Sequence, residues 1–140
     1  MSSTLLTEDT GVPFDELQAE QIHRFRDTWD AMGHGREPRV SVSRSVLPIT
    51  EDLDRRLFGN LNENTDQVGH LDGGIARFGR SYVGEPDVIA VELARDQAVR
   101  LADTLLLTVP NQLGVAYNQR LLQTIAEDVA PAIGWQAAVG

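Results

Sequence analysis

The order of secondary-structure patterns along the chain constrains the fold more than any other feature. From Arg39 to Val46, valines alternate with serines, a pattern typical of a β-strand. The stretch Thr104–Val109 is almost continuously apolar and ends at Pro110, which is typical of a strand buried on both faces of a parallel sheet. Helical periodicity lies before, between and after these strands. Such alternation predicts βαβ units with right-handed crossovers, and therefore an α/β fold.

Three stretches carry the helical periodicity. The first runs from Pro13 to Met32 and ends at Gly33. The second begins at Pro86 and reaches Leu101, and the third runs up to Pro131 with apolar residues at every fourth position. Between the first two helices, Glu51–Phe58 is compatible with a short helix, whose paired Asp52 and Asp54 we interpret as a solvated face. Residues 59–84 are dense in Gly, Asn and Asp without a sustained period, so we expect a long mobile loop.

The composition excludes several kinds of chemistry. The chain has no cysteine and no lysine, which excludes disulfides, thiolate metal sites, cysteine nucleophiles and lysine Schiff bases. Its formal net charge of −9 disfavours binding to nucleic acid or to anionic lipid. A signal-peptide pattern and a membrane-length apolar run are both lacking, and 140 residues suit one compact domain. We therefore expect a soluble, cytoplasmic protein with a single core and without a nucleic-acid or membrane partner.

Two polar features are candidates for binding, and each has a structural alternative. Ser41, Ser43 and Arg44 lie on or beside the polar face of the first predicted strand, where they border either a polar cavity or solvent. The segment Gly79–Pro86 leads into a helix, and the backbone amides of a helix N-terminus can hold a phosphate. The alternative is an ordinary turn in which Glu85 and its neighbour Asp87 cap the helix.

A metal site is not predicted. His70 lies near Asp66 and Asp72, but ligands drawn from one flexible loop are poorly preorganised. The remaining histidines are interpreted as surface or turn residues.

Four stretches together resemble the C-terminal part of the luciferase-like monooxygenases. They are Ser2–Gly11, Arg39–Ser45, Gly79–Tyr82 and Ala102–Asn111, and the similarity continues through Leu113–Val115 to Ala130–Trp135. The order and spacing of these stretches carry the resemblance, which covers nearly the whole chain. Members of this family are (β/α)8 barrels that use reduced FMN, or in some branches the deazaflavin F420, for oxygenation or hydride transfer.

The resemblance implies a partial (β/α)8 TIM barrel in which residues 1–140 supply the C-terminal strands and helices only. Met1 would lie near the end of the sixth strand, and the predicted strands at Arg39–Val46 and Thr104–Val109 would be the seventh and eighth. A whole barrel takes about 250 residues, so a chain of this length matches its last third to half. The active site of such a barrel lies at the carboxyl ends of its strands.

The resemblance also implies a set of residues for contact with flavin or substrate, all facing that end of the barrel. They are Ser2, Ser3, Ser43, Arg44, Arg80, Ser81, Tyr82 and Asn111. We expect Arg80, Ser81 and Tyr82 to lie near a phosphate, beside Ser41 and Ser43, and the loop over residues 59–84 to act as a lid. A catalytic residue is not assigned.

Two functions follow from these expectations. The first is a flavin-dependent oxidoreductase or monooxygenase of the luciferase-like type, acting with reduced FMN, or alternatively F420, on a small organic substrate. Because the first strands of the barrel are missing, the alternative is a non-catalytic fragment or oligomerisation module without flavin binding. Either a homodimer or a complementing N-terminal barrel fragment would then be the protein partner.

Overall fold

The computed structural model describes residues 1–3, 11–61, 67–71 and 74–135, and only the backbone of residues 2–3, 67–71 and 74–78. Within these ranges the chain has a mixed α/β fold, as predicted. Its strands are β1 (Ser2–Ser3), β2 (Ser41–Pro48), β3 (Gln67–Leu71), β4 (Gly74–Phe78), β5 (Ser81–Gly84) and β6 (Thr104–Thr108). Its α-helices are α1 (Phe14–Ala31), α2 (Asp52–Phe58), α3 (Pro86–Leu93), α4 (Gln97–Leu101), α5 (Val115–Thr124) and α6 (Ala130–Ala132). None of these helices combines the length and the apolar character that a bilayer crossing requires.

Parallel pairing organises the main sheet, which confirms the α/β prediction. Strand β1 runs parallel to β2 with Ser2 opposite Ser41, and β5 runs parallel to β2 with Ser81 opposite Ser45. Strand β6 also pairs with β2. Each of β1, β2 and β5 is followed along the chain by a helix, which is the arrangement that a crossover between parallel strands requires.

The prediction of a long mobile loop over residues 59–84 is wrong. Strands β3 and β4 form an antiparallel pair with Gln67 opposite Phe78 and Leu71 opposite Gly74, and β5 follows them. An antiparallel pair is stabilised by hydrogen bonds between two short segments, and periodicity within one segment does not reveal them. The lid that we expected from the loop's length therefore loses its basis.

The chain divides into two compact units rather than around one core. The first unit comprises Met1–Arg44, Thr65–Arg80 and Asp96–Leu106, and the second comprises Ser45–Asn64, Ser81–Arg95 and Leu107–Gly140. Neither unit is a continuous stretch of chain, so composition along the sequence shows no boundary between them.

The core of the first unit is built on α1. This helix lies within the predicted range and packs against α4. Phe14 and Ile22 on α1 are buried, together with Val40 and Val42 before and within β2 and Val99 on α4. Asp96 caps α4 by accepting a hydrogen bond from the backbone N–H of Val99 at 2.9 Å.

The core of the second unit lies between β5, α3 and the C-terminal helical segment that begins with α5. Helix α3 packs on β5 and on a π-helical turn, Ile125–Val129, that continues α5. The apolar residues predicted at every fourth position lie on the inner face, since Leu121, Ile125 and Val129 are all buried. The third helical prediction is thereby confirmed, with α5, the π-helical turn and α6 forming one segment.

Strand β6 lies where the sequence predicted a strand, but its burial differs from the prediction. None of its five residues is buried, and the side chain of Leu106 is 46% exposed. Among the described residues, β2 is the only strand with which β6 pairs. The apolar stretch therefore forms a strand at the edge of the described sheet, and the prediction that it is buried on both faces is wrong.

Candidate functional site

The predicted site residues fall in both units. Ser43, Arg44 and Arg80 belong to the first unit, as do Ser2 and Ser3, whose side chains lie outside the described residues. In the backbone register, Ser2 pairs with Ser41, which brings two predicted segments together in that unit. Ser81, Tyr82 and Asn111 belong to the second unit.

Arg44 is a buried structural residue, and its guanidinium group is not accessible to solvent. Its side chain is 1% exposed, and its Nε donates to Asp96 Oδ2 at 2.7 Å. One terminal nitrogen donates to Gln18 Oε1 at 2.9 Å and the other to the Ser43 carbonyl at 2.8 Å. The guanidinium also lies 5.6 Å from the centroid of the Phe14 ring. Because these acceptors occupy the guanidinium, its geometry does not favour a flavin contact, and that role stays a prediction.

Ser81 and Tyr82 occupy a different position along their strand from the one expected. They are the first two residues of β5, whereas we expected them in a loop before a helix and at a carboxyl end. Tyr82 is fully buried and Ser81 is half-buried. Since β5 pairs with β2 from Ser45 onward, Ser41 and Ser43 precede the paired stretch. The phosphate contact implied for Arg80, Ser81 and Tyr82 stays a prediction.

Asn111 follows the carboxyl end of β6 along the chain, and the binding role implied for it stays a prediction. It begins a short 3-10 turn, Asn111–Leu113, and it is exposed. The turn ends at Gly114, whose φ of +80° is a left-handed conformation that favours glycine. This conformation redirects the chain into α5, which begins at Val115.

Asn111 contributes to an open groove, which we name the α5 groove. Its volume is about 510 Å³, within the roughly 300–1,000 Å³ that small-molecule sites occupy. Val115 and Leu122 give it an apolar surface, and Val115 is 85% exposed. Amide side chains supply hydrogen-bonding groups at its border. The groove is lined by Asn111, Gly114, Val115, Asn118, Gln119 and Leu122.

Asn118 anchors the groove to the turn that precedes α5. Its Nδ2 donates to the Pro110 carbonyl at 3.1 Å, and its backbone N–H donates to the Gly114 carbonyl at 3.2 Å. Its buried Oδ1 has no hydrogen-bond partner among the described residues. A buried acceptor without a partner costs free energy, which the hydrogen bond from Nδ2 to the Pro110 carbonyl offsets in part.

A second polar cluster lies in the same unit and was not predicted. Asp54, interpreted as part of a solvated face, has a side chain only 3% exposed. Its Oδ2 accepts the backbone N–H groups of Thr50 and Glu51, both at 3.0 Å, and the Thr50 hydroxyl at 3.1 Å. Its Oδ1 accepts the Tyr117 hydroxyl at 2.7 Å and an Arg120 N–H at 3.0 Å. Asp52, by contrast, is exposed as predicted.

The electrostatics of this cluster follow from its hydrogen bonds. Burial alone would raise the pKa of Asp54, but the donors from Thr50, Tyr117, Arg120 and Glu51 outweigh it and lower the pKa from 3.8 to about 2. Burial and the hydrogen bond to Asp54 raise the pKa of Tyr117. The hydrogen bond to Asp54 also raises the pKa of Arg120. The ionised carboxylate, the neutral phenol and the charged guanidinium therefore coexist near neutral pH.

The Asp54 cluster is an anchor rather than a substrate site. It encloses a cavity of about 10 Å³, which is room for about one water molecule. Arg120 is further held by Glu51 at 2.9 Å, so α5 is tied to the start of α2 by charge as well as by the Tyr117 hydroxyl. The spacing of Glu51 and Asp54 is that of a capping box, which could have indicated a structural role for Asp54.

The described residues contain no group of three or more His, Asp or Glu that could hold a metal ion. Of the loop residues considered for a metal, Asp66, Asp72 and the side chain of His70 lie outside the described residues.

Comparisons of the chain with protein-family models, with curated proteins and with solved structures gave no match.

Proposed function

We propose that this chain is the C-terminal part of a flavin-dependent oxidoreductase of the luciferase-like type, built as a segment of a (β/α)8 barrel. The proposal is supported by the order of the elements, in which β1, β2, β5 and β6 are each followed by a helix. It is also supported by the parallel pairing of β1 and β5 with β2, since barrels of this type consist of parallel strands joined by helices.

The proposal of flavin binding depends mainly on one observation, the position of the α5 groove. It lies directly after β6 and includes Asn111, a residue that the resemblance assigns to the binding site. Barrel enzymes bind their ligands at the carboxyl ends of their strands. In the second unit, the position of the groove, its volume and the family resemblance therefore all favour it as the ligand-binding site.

The lining of the groove suits a flat, amphipathic ring. Val115 and Leu122 would contact the ring system, while the amides of Asn111 and Gln119 would exchange hydrogen bonds with its polar edge. Reduced FMN, or F420, would supply the electrons for oxygenation or hydride transfer. The chain's own contribution would be to orient the ring and to exclude water from one of its faces.

A flavin titration tests this proposal. FMN is added to the full chain while the flavin's own fluorescence is followed, and we expect saturable binding in the micromolar range. Val115→Trp fills the groove at a position that is mostly exposed, so it should weaken FMN binding at least about tenfold while the chain still folds. Val91→Trp on α3 is the matched control, because Val91 is an exposed valine in the same unit outside the groove.

Two results would contradict the proposal. One is an unchanged flavin signal throughout the titration of the folded chain. The other is equal FMN affinity for Val115→Trp and Val91→Trp, which would place any binding elsewhere. Circular dichroism of both variants establishes that a loss of binding is not a loss of fold.

A further inference from the structure

Helix α5 borders two different spaces within the second unit. One face of the helix lines the α5 groove, with the residues Val115, Asn118, Gln119 and Leu122. Another face lines the small cavity of the Asp54 cluster, with the residues Tyr117, Arg120, Leu121 and Thr124. Both sets have the spacing of neighbours on one helix face, and the second set is offset by two positions, which is a rotation of about 200° on an α-helix. The groove and the Asp54 cluster therefore lie on opposite faces of α5.

The face of α5 toward the Asp54 cluster is held by short polar contacts. The Asp54 carboxylate is itself fixed at the start of α2, because it accepts the backbone N–H groups of Thr50 and Glu51. Its Oδ1 accepts the Tyr117 hydroxyl at 2.7 Å and an Arg120 N–H at 3.0 Å. Arg120 also lies 2.9 Å from a carboxylate oxygen of Glu51. The cavity between these groups measures only about 10 Å³, so α5 has little room to move on this side.

The face of α5 toward the groove is held less firmly. Val115 is 85% exposed and Leu122 is 43% exposed, so neither side chain is packed as a core residue is. Asn118 supplies a polar contact on this face, a hydrogen bond from its Nδ2 to the Pro110 carbonyl at 3.1 Å. The charged contacts and the shortest hydrogen bond of the helix are therefore those on the opposite face, where Tyr117 and Arg120 meet Asp54.

We propose that Tyr117 and Arg120 are positioning residues of the α5 groove, because their bonds to Asp54 fix the rotation of α5 about its axis. That rotation directs Asn118 and Gln119 toward a ligand in the groove, and this inference rests on the proposed flavin site. Side-chain ends lie about 5–6 Å from a helix axis, so a rotation of about 20° moves them by about 2 Å. Such a movement breaks a hydrogen bond, whose length varies by only about 0.5 Å.

A titration with FMN compares variants on the far face of α5. Tyr117→Phe removes the hydroxyl donor and keeps the aromatic ring, and Arg120→Lys keeps the charge but not the forked geometry that reaches both Asp54 and Glu51. We expect each to bind FMN about three- to tenfold more weakly than the wild type. Ile89→Val on α3 is the control, because Ile89 is fully buried in the same unit and its truncation lowers stability without touching the Asp54 cluster. Urea unfolding measures the stability of each variant, and the control should keep the wild-type affinity.

A cysteine in the groove measures the rotation of α5 without flavin. The chain has no cysteine, so Leu122→Cys introduces a single thiol at a half-exposed position of the groove lining. The rate at which this thiol reacts with an aromatic disulfide reagent depends on its exposure. Adding Tyr117→Phe should change that rate at least about threefold, because a rotated helix exposes position 122 to a different degree. Adding Ile89→Val should leave the rate unchanged.

The two measurements separate failure of this inference from failure of the proposed function. If Tyr117→Phe and Arg120→Lys bind FMN as tightly as the wild type, the positioning role is overturned while the flavin site stands. Equal weakening by Ile89→Val also overturns it, because a general loss of stability would then be the cause. If the wild type does not bind FMN, the proposed function fails, and the thiol rates alone decide whether Tyr117 positions α5. An unchanged rate in the Tyr117→Phe background overturns that role.

Discussion

Replacing Asp54 by Asn tests whether the Asp54 cluster anchors the second unit. The pKa of this carboxyl group is about 2 in the folded chain, against an ordinary value of 3.8. At about 1.4 kcal/mol per pH unit, the ionised group contributes about 2 kcal/mol to the free energy of unfolding. The Asp54→Asn variant should lose at least this amount near neutral pH, because an amide cannot accept all the donors that the carboxylate holds.

The pH dependence has a defined sign. A carboxyl group whose pKa is lower in the folded than in the unfolded chain stabilises the fold fully above its ordinary pKa of 3.8. That contribution is lost as the pH falls toward about 2, where the folded-state group also binds a proton. The difference in stability between the wild type and Asp54→Asn should therefore be constant near neutral pH and shrink below pH 3.8.

Urea unfolding followed by circular dichroism measures this difference at each pH. Asp52→Asn is the matched control, since it makes the same change in charge on the same helix at an exposed position. It should cost no more than about 0.5–1 kcal/mol, the usual effect of a charge near a helix N-terminus. Equal losses in the two variants, or a loss for Asp54→Asn that does not change as the pH falls, would refute the anchoring role.

Two further predictions concern the buried arginine of the first unit. Arg44→Leu should cost about 3–5 kcal/mol in urea unfolding, because it leaves the Asp96 carboxylate buried without its cation. Adding Asp96→Asn should recover part of that loss, and a further loss in the double variant would contradict the pairing. Gly79→Ala should cost about 1–3 kcal/mol in thermal or urea unfolding, since its Cβ would lie 3.0 Å from a terminal nitrogen of Arg44. Gly35→Ala, where a Cβ meets nothing within 4 Å, is the control, and equal effects would contradict the steric argument.

Elements with a strong local signal could be predicted from the sequence. The helix predicted over Pro13–Met32 is observed as α1, and the alternation after Arg39 is observed as β2, shifted by two residues. The antiparallel pair of β3 and β4 could not be predicted, because each strand is short and contains glycine. The exposure of β6 was also missed. An apolar run predicts a strand, but it does not reveal how many neighbours that strand has.

The polar clusters were missed because their partners are distant along the chain. Asp54 meets Tyr117 and Arg120 across 63 and 66 residues, and no local pattern links such positions. Asp52 lies two positions away on the same helix and is exposed. Residue type and local sequence therefore could not show which of the two aspartates is buried. Asn111 was selected through the resemblance rather than from spacing, and it is the predicted site residue that lies in the α5 groove.

The distance along the chain between Arg44 and Asp96 also has a consequence for biosynthesis. The two residues are separated by 52 positions. At a ribosomal rate of roughly 5–20 residues per second, the arginine is made about 3–10 s before its carboxylate partner. During that interval Arg44 lacks the carboxylate with which it pairs in the folded chain, so the buried polar cluster of the first unit is completed only late in synthesis.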